Sequence, residues 1–133
     1  MSRRRSEVLF YRAVTTFGMA AEAAIEQAGI LSFAGKVVID ATNPLGFDDG
    51  GVHLAIGFDD SLGERVQRAL PEARVGNDDS AKREVTEILR TFGWDIADLG
   101  GIEASRYLEP ICMAWVVYGA GAGSWHHAFK LLR

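Results

Sequence analysis

The sequence contains a single cysteine, no long apolar run, and no glycine-rich phosphate loop behind a strand. A lone thiol, Cys112, excludes an internal disulfide and fits a reducing compartment, so we expect a cytoplasmic location. The apolar stretch Ile111–Tyr118 is far shorter than the roughly 20 residues that a membrane-spanning helix needs, so no membrane partner is expected. Nowhere does a strand lead through Gly-x-Gly-x-x-Gly into a helix, which excludes the usual diphosphate-binding element.

Charge and histidine content give no sign of a metal or nucleic-acid partner. The three histidines, His53, His126 and His127, have no cysteine or histidine partner at zinc-binding spacing. The aspartate pairs 48–49 and 59–60 could bind a hard cation through oxygen, but they match no metal-binding loop and are interpreted as solvated loop acids. A formal net charge of −4 disfavours contact with nucleic acid. We therefore expect neither a metal site nor a nucleic-acid partner.

A strand followed by a polar turn is the most informative feature that is present. The run Val37–Asp40 suits a parallel strand buried on both faces. Thr42, Asn43 and Pro44 follow it, at the carboxyl end where open α/β sheets bind their ligands. The hydroxyl, the amide and the backbone of this turn could hold a nicotinamide carboxamide, a ribose or a substrate carbonyl. The structural alternative is an Asx or serine/threonine turn that merely ends the strand.

A second turn of the same kind follows a predicted strand at Glu7–Tyr11. Thr15 and Thr16 stand there, before a predicted helix over Met19–Ala28 that Gly29 should stop. Strand, helix and strand make one β-α-β unit, so the two strands should be parallel neighbours. Their two turns would then line a single crevice. Taken alone, threonines at such positions are also ordinary helix caps.

The remaining elements follow from turn and capping signals. Glycine and aspartate dominate residues 43–60, which predicts a long loop. Ser61, with Glu64 three residues later, predicts a capped helix that ends before Pro71. The other predictions are a strand beginning at Ala73–Val75, a helix capped by Asp79 or Ser80 and ended by Gly93, a strand at Trp94–Leu99, a helix at Glu103–Tyr118 kinked or restarted at Pro110, a break at Gly119–Gly123, and a last amphipathic helix at Ser124–Arg133.

Four segments resemble one known family. They are GKVVIDATNPL (35–45), SLGERVQRALPEARV (61–75), GNDDSAK (76–82) and DLGGIEASRYLEP (98–110). With the helix that leads to Gly29, the chain resembles the NADP-dependent oxidoreductases of the coenzyme F420 type over nearly its whole length. The resemblance implies an α/β fold: a partial Rossmann-like parallel sheet of βαβ units in residues 1–100, which binds NADP, and a C-terminal helical segment in residues 101–133, which supports dimerisation.

The resemblance also implies an activity and a set of site residues. The activity is hydride transfer between NADP(H) and a small-molecule partner, a deazaflavin or flavin-like compound. Thr42, Asn43 and Pro44 match the family's turn near the nicotinamide and the hydride partner. Thr15 and Thr16 match the preceding turn, which runs along the cofactor. The segment Asp98–Gly100 and Arg106 match the start of the helical region and are expected to be architectural; no catalytic residue is assigned.

Two departures from the family change the functional expectation. The sequence begins at what should be the family's fourth strand, and Val75 runs directly into Gly76, where the family has a Lys-x-Phe-Asn segment and a further strand. We therefore expect a chain truncated at the front and deleted internally. The backbone donors that hold the NADP diphosphate would be missing, so activity is expected to be impaired. The alternative is a non-catalytic remnant or homo-oligomerisation module, with Ile111–Tyr118 either in the core or against a second subunit.

Overall fold

A computed structural model describes residues 11–16 and 18–132 of the chain. Strand β1 (Tyr11–Val14) pairs in parallel with strand β2 (Val37–Asp40), and their register runs from Tyr11↔Val37 to Val14↔Asp40. The parallel pairing and the position of β2 are confirmed. The strand expected at Glu7–Tyr11 falls, except for its last residue, outside the described residues, and β1 begins where that prediction ends.

Helix α1 (Ala21–Ala28) connects the two strands and confirms the predicted β-α-β order. Its alanine-rich sequence favours helix, and a single 3-10 turn over Gly18–Ala20 precedes it. Ala21 and Ile25 form its buried face. Gly29 ends it with a φ of 81°, and its N–H bonds to the carbonyl oxygen of Glu26 at 3.0 Å, so the predicted stop is confirmed.

The expected long loop over residues 43–60 is wrong, because it contains a β-hairpin. Strand β3 (Leu45–Asp48) and strand β4 (Gly51–Leu54) are antiparallel, with Leu45 opposite Leu54 and Asp48 opposite Gly51. The Asp48 carboxylate accepts the N–H of Gly50 at 2.8 Å, and Gly51 takes a φ of 100°. The pair Asp49-Gly50 between two short apolar runs was the available hairpin signal.

Helix α2 (Leu62–Ala69) forms as its capping signals predict. The Ser61 hydroxyl accepts the N–H of Glu64 at 3.2 Å, and the helix ends at Leu70, before Pro71. Helix α2 packs against α1. The two helices and the parallel strands enclose the core, which is a cluster of ten buried apolar side chains: Val14, Ala21, Ile25, Phe33, Val38, Ile56, Leu62, Val66, Leu70 and Val75.

A third parallel segment begins beside β2 and stops at once, as predicted for Ala73–Val75. The Arg74 N–H donates to the Lys36 carbonyl at 2.9 Å, and the Val38 N–H donates to the Arg74 carbonyl at 3.0 Å. The chain then turns, since the N–H of Asp78 bonds back to the carbonyl of Val75 at 3.0 Å. One isolated bridge is all the pairing that this segment makes with β2 among the described residues.

Helix α3 (Asp79–Thr91) begins one residue earlier than the sequence suggested. The predicted caps Asp79 and Ser80 are wrong, because Asp78 is the N-cap and its carboxylate accepts the N–H of Ala81 at 2.7 Å. The Ser80 hydroxyl donates to the same carboxylate at 2.6 Å, so it supports the cap instead of forming it. Phe92 caps the other end and Gly93 follows with a φ of 78°, as expected for a helix stop.

The predicted strand Trp94–Leu99 is wrong, since no regular structure is assigned there. A turn and an ion pair shape its carboxyl end instead. The Asp98 carboxylate accepts the N–H of Gly100 at 2.9 Å and pairs with Lys82 of α3 at 3.0 Å. Lys82 therefore fixes the carboxyl end of this segment against α3, and it also donates to the Gly100 carbonyl at 3.1 Å.

Helix α4 (Ser105–Ala122) is longer than predicted, and Pro110 lies inside it. The break expected at Gly119–Gly123 is wrong, because the helix continues to Ala122 and ends at Gly123 in the left-handed conformation. The helix expected at 124–133 is also wrong for residues 124–132, which fold back on α4 without helical structure. None of the helices in the described part of the chain combines the length and apolarity needed to cross a membrane.

Aromatic contacts explain why the tail folds back. The rings of Trp115 and His127 stack with centroids 4.8 Å apart, and the Trp115 indole N–H donates to the His127 carbonyl at 2.9 Å. Trp125 lies against the same tryptophan at 5.2 Å and covers Gly119, where a Cβ atom would be 2.5 Å from its ring. These long-range contacts outweigh the helical propensity of the tail.

Candidate functional site

The turns after β1 and β2 lie side by side. The N–H of Ala41 donates to the Val14 carbonyl at 3.1 Å, which extends the pairing into both turns. Gly18 then packs directly on the second turn, since a Cβ atom there would lie 1.8 Å from the carbonyl oxygen of Asn43. The two turns therefore meet at one sheet edge, as the sequence predicted. Thr15 and Thr16 line a different cavity from the one that Asp40 borders, so a crevice shared by both turns stays a prediction.

The predicted site residues differ in how far solvent reaches them. Thr15 and Thr16 are exposed, whereas Thr42 and Asn43 are half-buried. The Pro44 side chain is fully buried, so we expect it to shape the turn without touching a ligand. Their role in binding a cofactor stays a prediction, although the structure brings them to the same edge.

Asp40, the last residue of β2, organises the second turn. One carboxylate oxygen, Oδ1, accepts both the backbone N–H of Thr42 at 2.9 Å and its hydroxyl at 2.7 Å. This is an Asx turn, the structural alternative that the sequence left open. Sequence reasoning did not select Asp40, although an aspartate two residues before a threonine at a strand end is a recognisable signal.

Two cavities border the strand ends. One of about 420 Å³ lies between β1 and α1 and is lined in part by Thr15 and Thr16. The other, of about 310 Å³, runs along β2 and α3 and is lined in part by Asp40 and Ser105. Volumes of this size suit parts of a small-molecule ligand. The sheet edge with the two turns therefore separates two spaces that a ligand could enter.

Helix α4 is fixed to the amino end of α2 by a buried carboxylate. Glu109 is 6% exposed, and its two oxygens accept the N–H groups of Leu62 at 3.1 Å and Gly63 at 2.9 Å. Both N–H groups lie in the first turn of a helix, where they lack intrahelical partners and favour a negative charge. Burial raises the pKa of the Glu109 carboxyl, so these hydrogen bonds only partly offset the loss of water.

An ion pair adds to the contact between α4 and α2. The Arg106 guanidinium donates to the two oxygens of Glu64 at 2.8 and 2.6 Å, and the hydroxyls of Ser61 and Ser105 lie 2.7 Å apart. Hydrogen bonds from Arg106 and then from Ser61 lower the pKa of the Glu64 carboxyl below its ordinary value. Arg106 therefore joins α4 to α2, and its architectural role stays a prediction with which this ion pair agrees.

The other candidate residues lie apart from this region. His53 pairs with Asp48 on the hairpin at 3.4 Å, and burial raises the pKa of the half-buried Cys112 thiol. Within residues 11–16 and 18–132, no group of three or more histidine, cysteine, aspartate or glutamate side chains is placed to hold a metal ion.

Comparison with known proteins identifies a solved structure with a similar fold. No family model matches the chain, and neither does any curated protein. Among solved structures, the chain matches a crystal structure of a proposed F420-dependent NADP reductase from Arthrobacter sp. FB24, with a TM-score of 0.86 and 32% sequence identity. The match covers 91% of this chain and 69% of that chain.

The likeness extends over both the parallel strands and the C-terminal helix, so it is not confined to one motif. An identity of 32% over most of both chains reaches beyond a shared fold to common descent. The α/β structure is Rossmann-like, with a parallel strand pair followed by a C-terminal helix. The chain belongs to the family of F420-dependent NADP reductases.

Proposed function

We propose that the protein is an oxidoreductase that transfers a hydride between NADP(H) and a small deazaflavin or flavin-like partner. The observation that carries the proposal is the backbone contact between Gly18 and Asn43, which places the turns after β1 and β2 together at the carboxyl edge of the sheet. In open α/β sheets this edge is where ligands bind. Because the chain belongs to this family, we expect NADP to bind at that edge.

The proposed roles follow the positions of the side chains. Thr15 and Thr16 line the cofactor, and Thr42 and Asn43 lie beside the nicotinamide and its hydride partner. Pro44 holds the shape of that turn from inside the protein. We assign no catalytic residue. We further propose that residues 1–100 form the NADP-binding part, that residues 101–133 support dimerisation, and that the protein works in the cytoplasm.

Binding is expected to be weak in a polypeptide of this sequence. The sequence has no strand that leads through Gly-x-Gly-x-x-Gly into a helix, and such turns supply the N–H groups that hold a diphosphate. A diphosphate that loses water without gaining these donors is bound at a net cost. We therefore propose that the oxidoreductase activity of this chain is impaired.

A titration with NADPH tests the proposal. We expect saturable binding with a Kd of about 1 mM, measured by equilibrium dialysis with NADPH absorbance as the readout. Thr42→Val should weaken it about tenfold, because the turn loses a hydrogen-bonding group at the nicotinamide. Thr91→Val, at an exposed position near the end of α3, is the matched control and should leave the Kd unchanged.

The outcomes of this titration separate the parts of the proposal. Absence of saturable binding at 10 mM NADPH, about ten times the expected Kd, would rule out the cofactor site. A micromolar Kd would instead disprove the expected impairment. Equal weakening by Thr91→Val and Thr42→Val would show that the effect is not local to the turn.

The second candidate, an oligomerisation module, is favoured by the outward face of α4. Tyr107, Ile111 and Tyr118 lie within about 40° of one another around α4, and they are 66%, 48% and 61% exposed although they are apolar. Contiguous apolar surface of this kind commonly marks a protein interface. We propose that a second copy of the chain covers it, in a homodimer that is compatible with either function.

Charge on this face should break such a dimer. Ile111→Glu is expected to yield monomers, because an unpaired carboxylate would be buried at the interface. Light scattering coupled to size exclusion would report the mass. Ala120→Glu is the control, since nine residues at 100° each place it on the opposite side of α4, where it is also exposed. A monomeric unmodified protein would contradict the homodimer.

A further inference from the structure

The hydroxyl of Thr42 donates its hydrogen to another side chain of the protein. Its partner, at 2.7 Å, is Oδ1 of Asp40, and the backbone N–H of Thr42 donates to that same oxygen at 2.9 Å. A carboxylate can only accept hydrogen bonds, so the hydroxyl must be the donor in this pair. Both residues are half-buried, which limits competition from water.

The hydrogen bond to Asp40 restricts which ligand groups Thr42 can bind. A free threonine hydroxyl rotates and serves as donor or acceptor, as the ligand requires. Here only the lone pairs of Oγ remain, and the backbone N–H of the same residue is also used. A ligand carbonyl would therefore meet no donor on this residue, whereas a ligand N–H would meet a well-oriented acceptor.

We propose, resting on the proposed function, that Thr42 selects for the amide NH2 of the nicotinamide carboxamide and that Asp40 is the positioning residue that fixes this selectivity. A primary amide nitrogen carries two donors and no acceptor. An oxygen that can only accept should therefore bind the amide NH2 and should not bind a methyl group of similar shape. A ribose hydroxyl also donates, but it can exchange roles and gains less from an oriented partner.

Comparing two dinucleotides tests the assignment. The reduced 3-acetylpyridine analogue of NADPH replaces the amide NH2 by a methyl group and keeps the carbonyl, the ribose and the phosphates. We expect the protein to bind it about tenfold more weakly than NADPH, as one hydrogen bond at a half-buried site would give. Ligand-observed NMR at millimolar concentration measures both Kd values on the full chain.

Variants of Thr42 and Asp40 identify the residues responsible for the selectivity between the two dinucleotides. Thr42→Val should bring the ratio of the two Kd values to about one by weakening NADPH alone, whereas Thr42→Ser, which keeps the hydroxyl, should preserve it. Asp40→Asn should lower the ratio to about threefold, because an asparagine amide can itself donate and no longer forces the hydroxyl to do so. A structural defect would change both Kd values together and leave their ratio intact.

The results test separately the assignment of Thr42 to the amide NH2 and the positioning role of Asp40. If NADPH binds and the unmodified protein shows a ratio below about threefold, the amide assignment is overturned while the cofactor site stands. A tenfold ratio that Asp40→Asn leaves unchanged overturns the role of Asp40. A ratio that survives Thr42→Val assigns the selectivity to another residue and overturns the proposal. Absence of NADPH binding removes both the proposed function and this inference.

Discussion

Replacing Gly18 with alanine is expected to lower the free energy of unfolding by about 3 kcal/mol or to prevent folding. The new Cβ atom would lie 1.8 Å from the carbonyl oxygen of Asn43 and 2.4 Å from its carbonyl carbon. Both are backbone atoms of a turn that buried Pro44 and the Asp40 side chain hold in place. No rotamer change can relieve the overlap, so the two turns must separate.

Chemical denaturation followed by circular dichroism would measure this loss. Gly121→Ala is the matched control, because no heavy atom lies within 4 Å of a Cβ at that position and its φ is not in the left-handed region. That change should be neutral or stabilise α4 by up to about 1 kcal/mol. If Gly18→Ala unfolds within about 1 kcal/mol of the unmodified protein, the close packing of the two turns is contradicted.

Local signals in the sequence were sufficient where an element is stabilised by its own residues. Ser61 with Glu64 predicts the start of α2, and Gly29 predicts the end of α1, because caps and stops satisfy backbone groups within a few residues. The same reasoning found β2 and the turn after it. The cap of α3 was nevertheless missed, since the sequence analysis offered Asp79 or Ser80 and the structure has Asp78 in that role.

Predictions failed where distant residues decide the conformation. The 124–132 segment has an amphipathic pattern, yet stacking of His127 on Trp115 holds it against α4 in a non-helical form. Glu109 gave no signal of its role, because its two partners are backbone N–H groups of Leu62 and Gly63, far away in sequence. Sequence periodicity describes which face is apolar, but it does not identify what covers that face.

Removing the Glu109 carboxylate should destabilise the protein almost as much as the Gly18 substitution. In Glu109→Ala the N–H groups of Leu62 and Gly63 lose their acceptor, and both residues are buried. Buried donors without partners cost about 1–3 kcal/mol each, so a loss of about 3 kcal/mol in the free energy of unfolding is expected. The same denaturation experiment would measure it.

The chemistry of the substitution distinguishes lost hydrogen bonds from lost charge. Glu109→Gln keeps one acceptor oxygen of similar shape, so it should cost about half as much as alanine. Because burial raises the pKa of Glu109, a neutral side chain is less unfavourable there than at an exposed site. Arg90→Ala, which breaks an exposed pair with Glu87 on α3, should change stability by less than about 0.5 kcal/mol. Equal stabilities for Glu109→Ala and Arg90→Ala would show that α4 does not depend on the carboxylate for its attachment to α2.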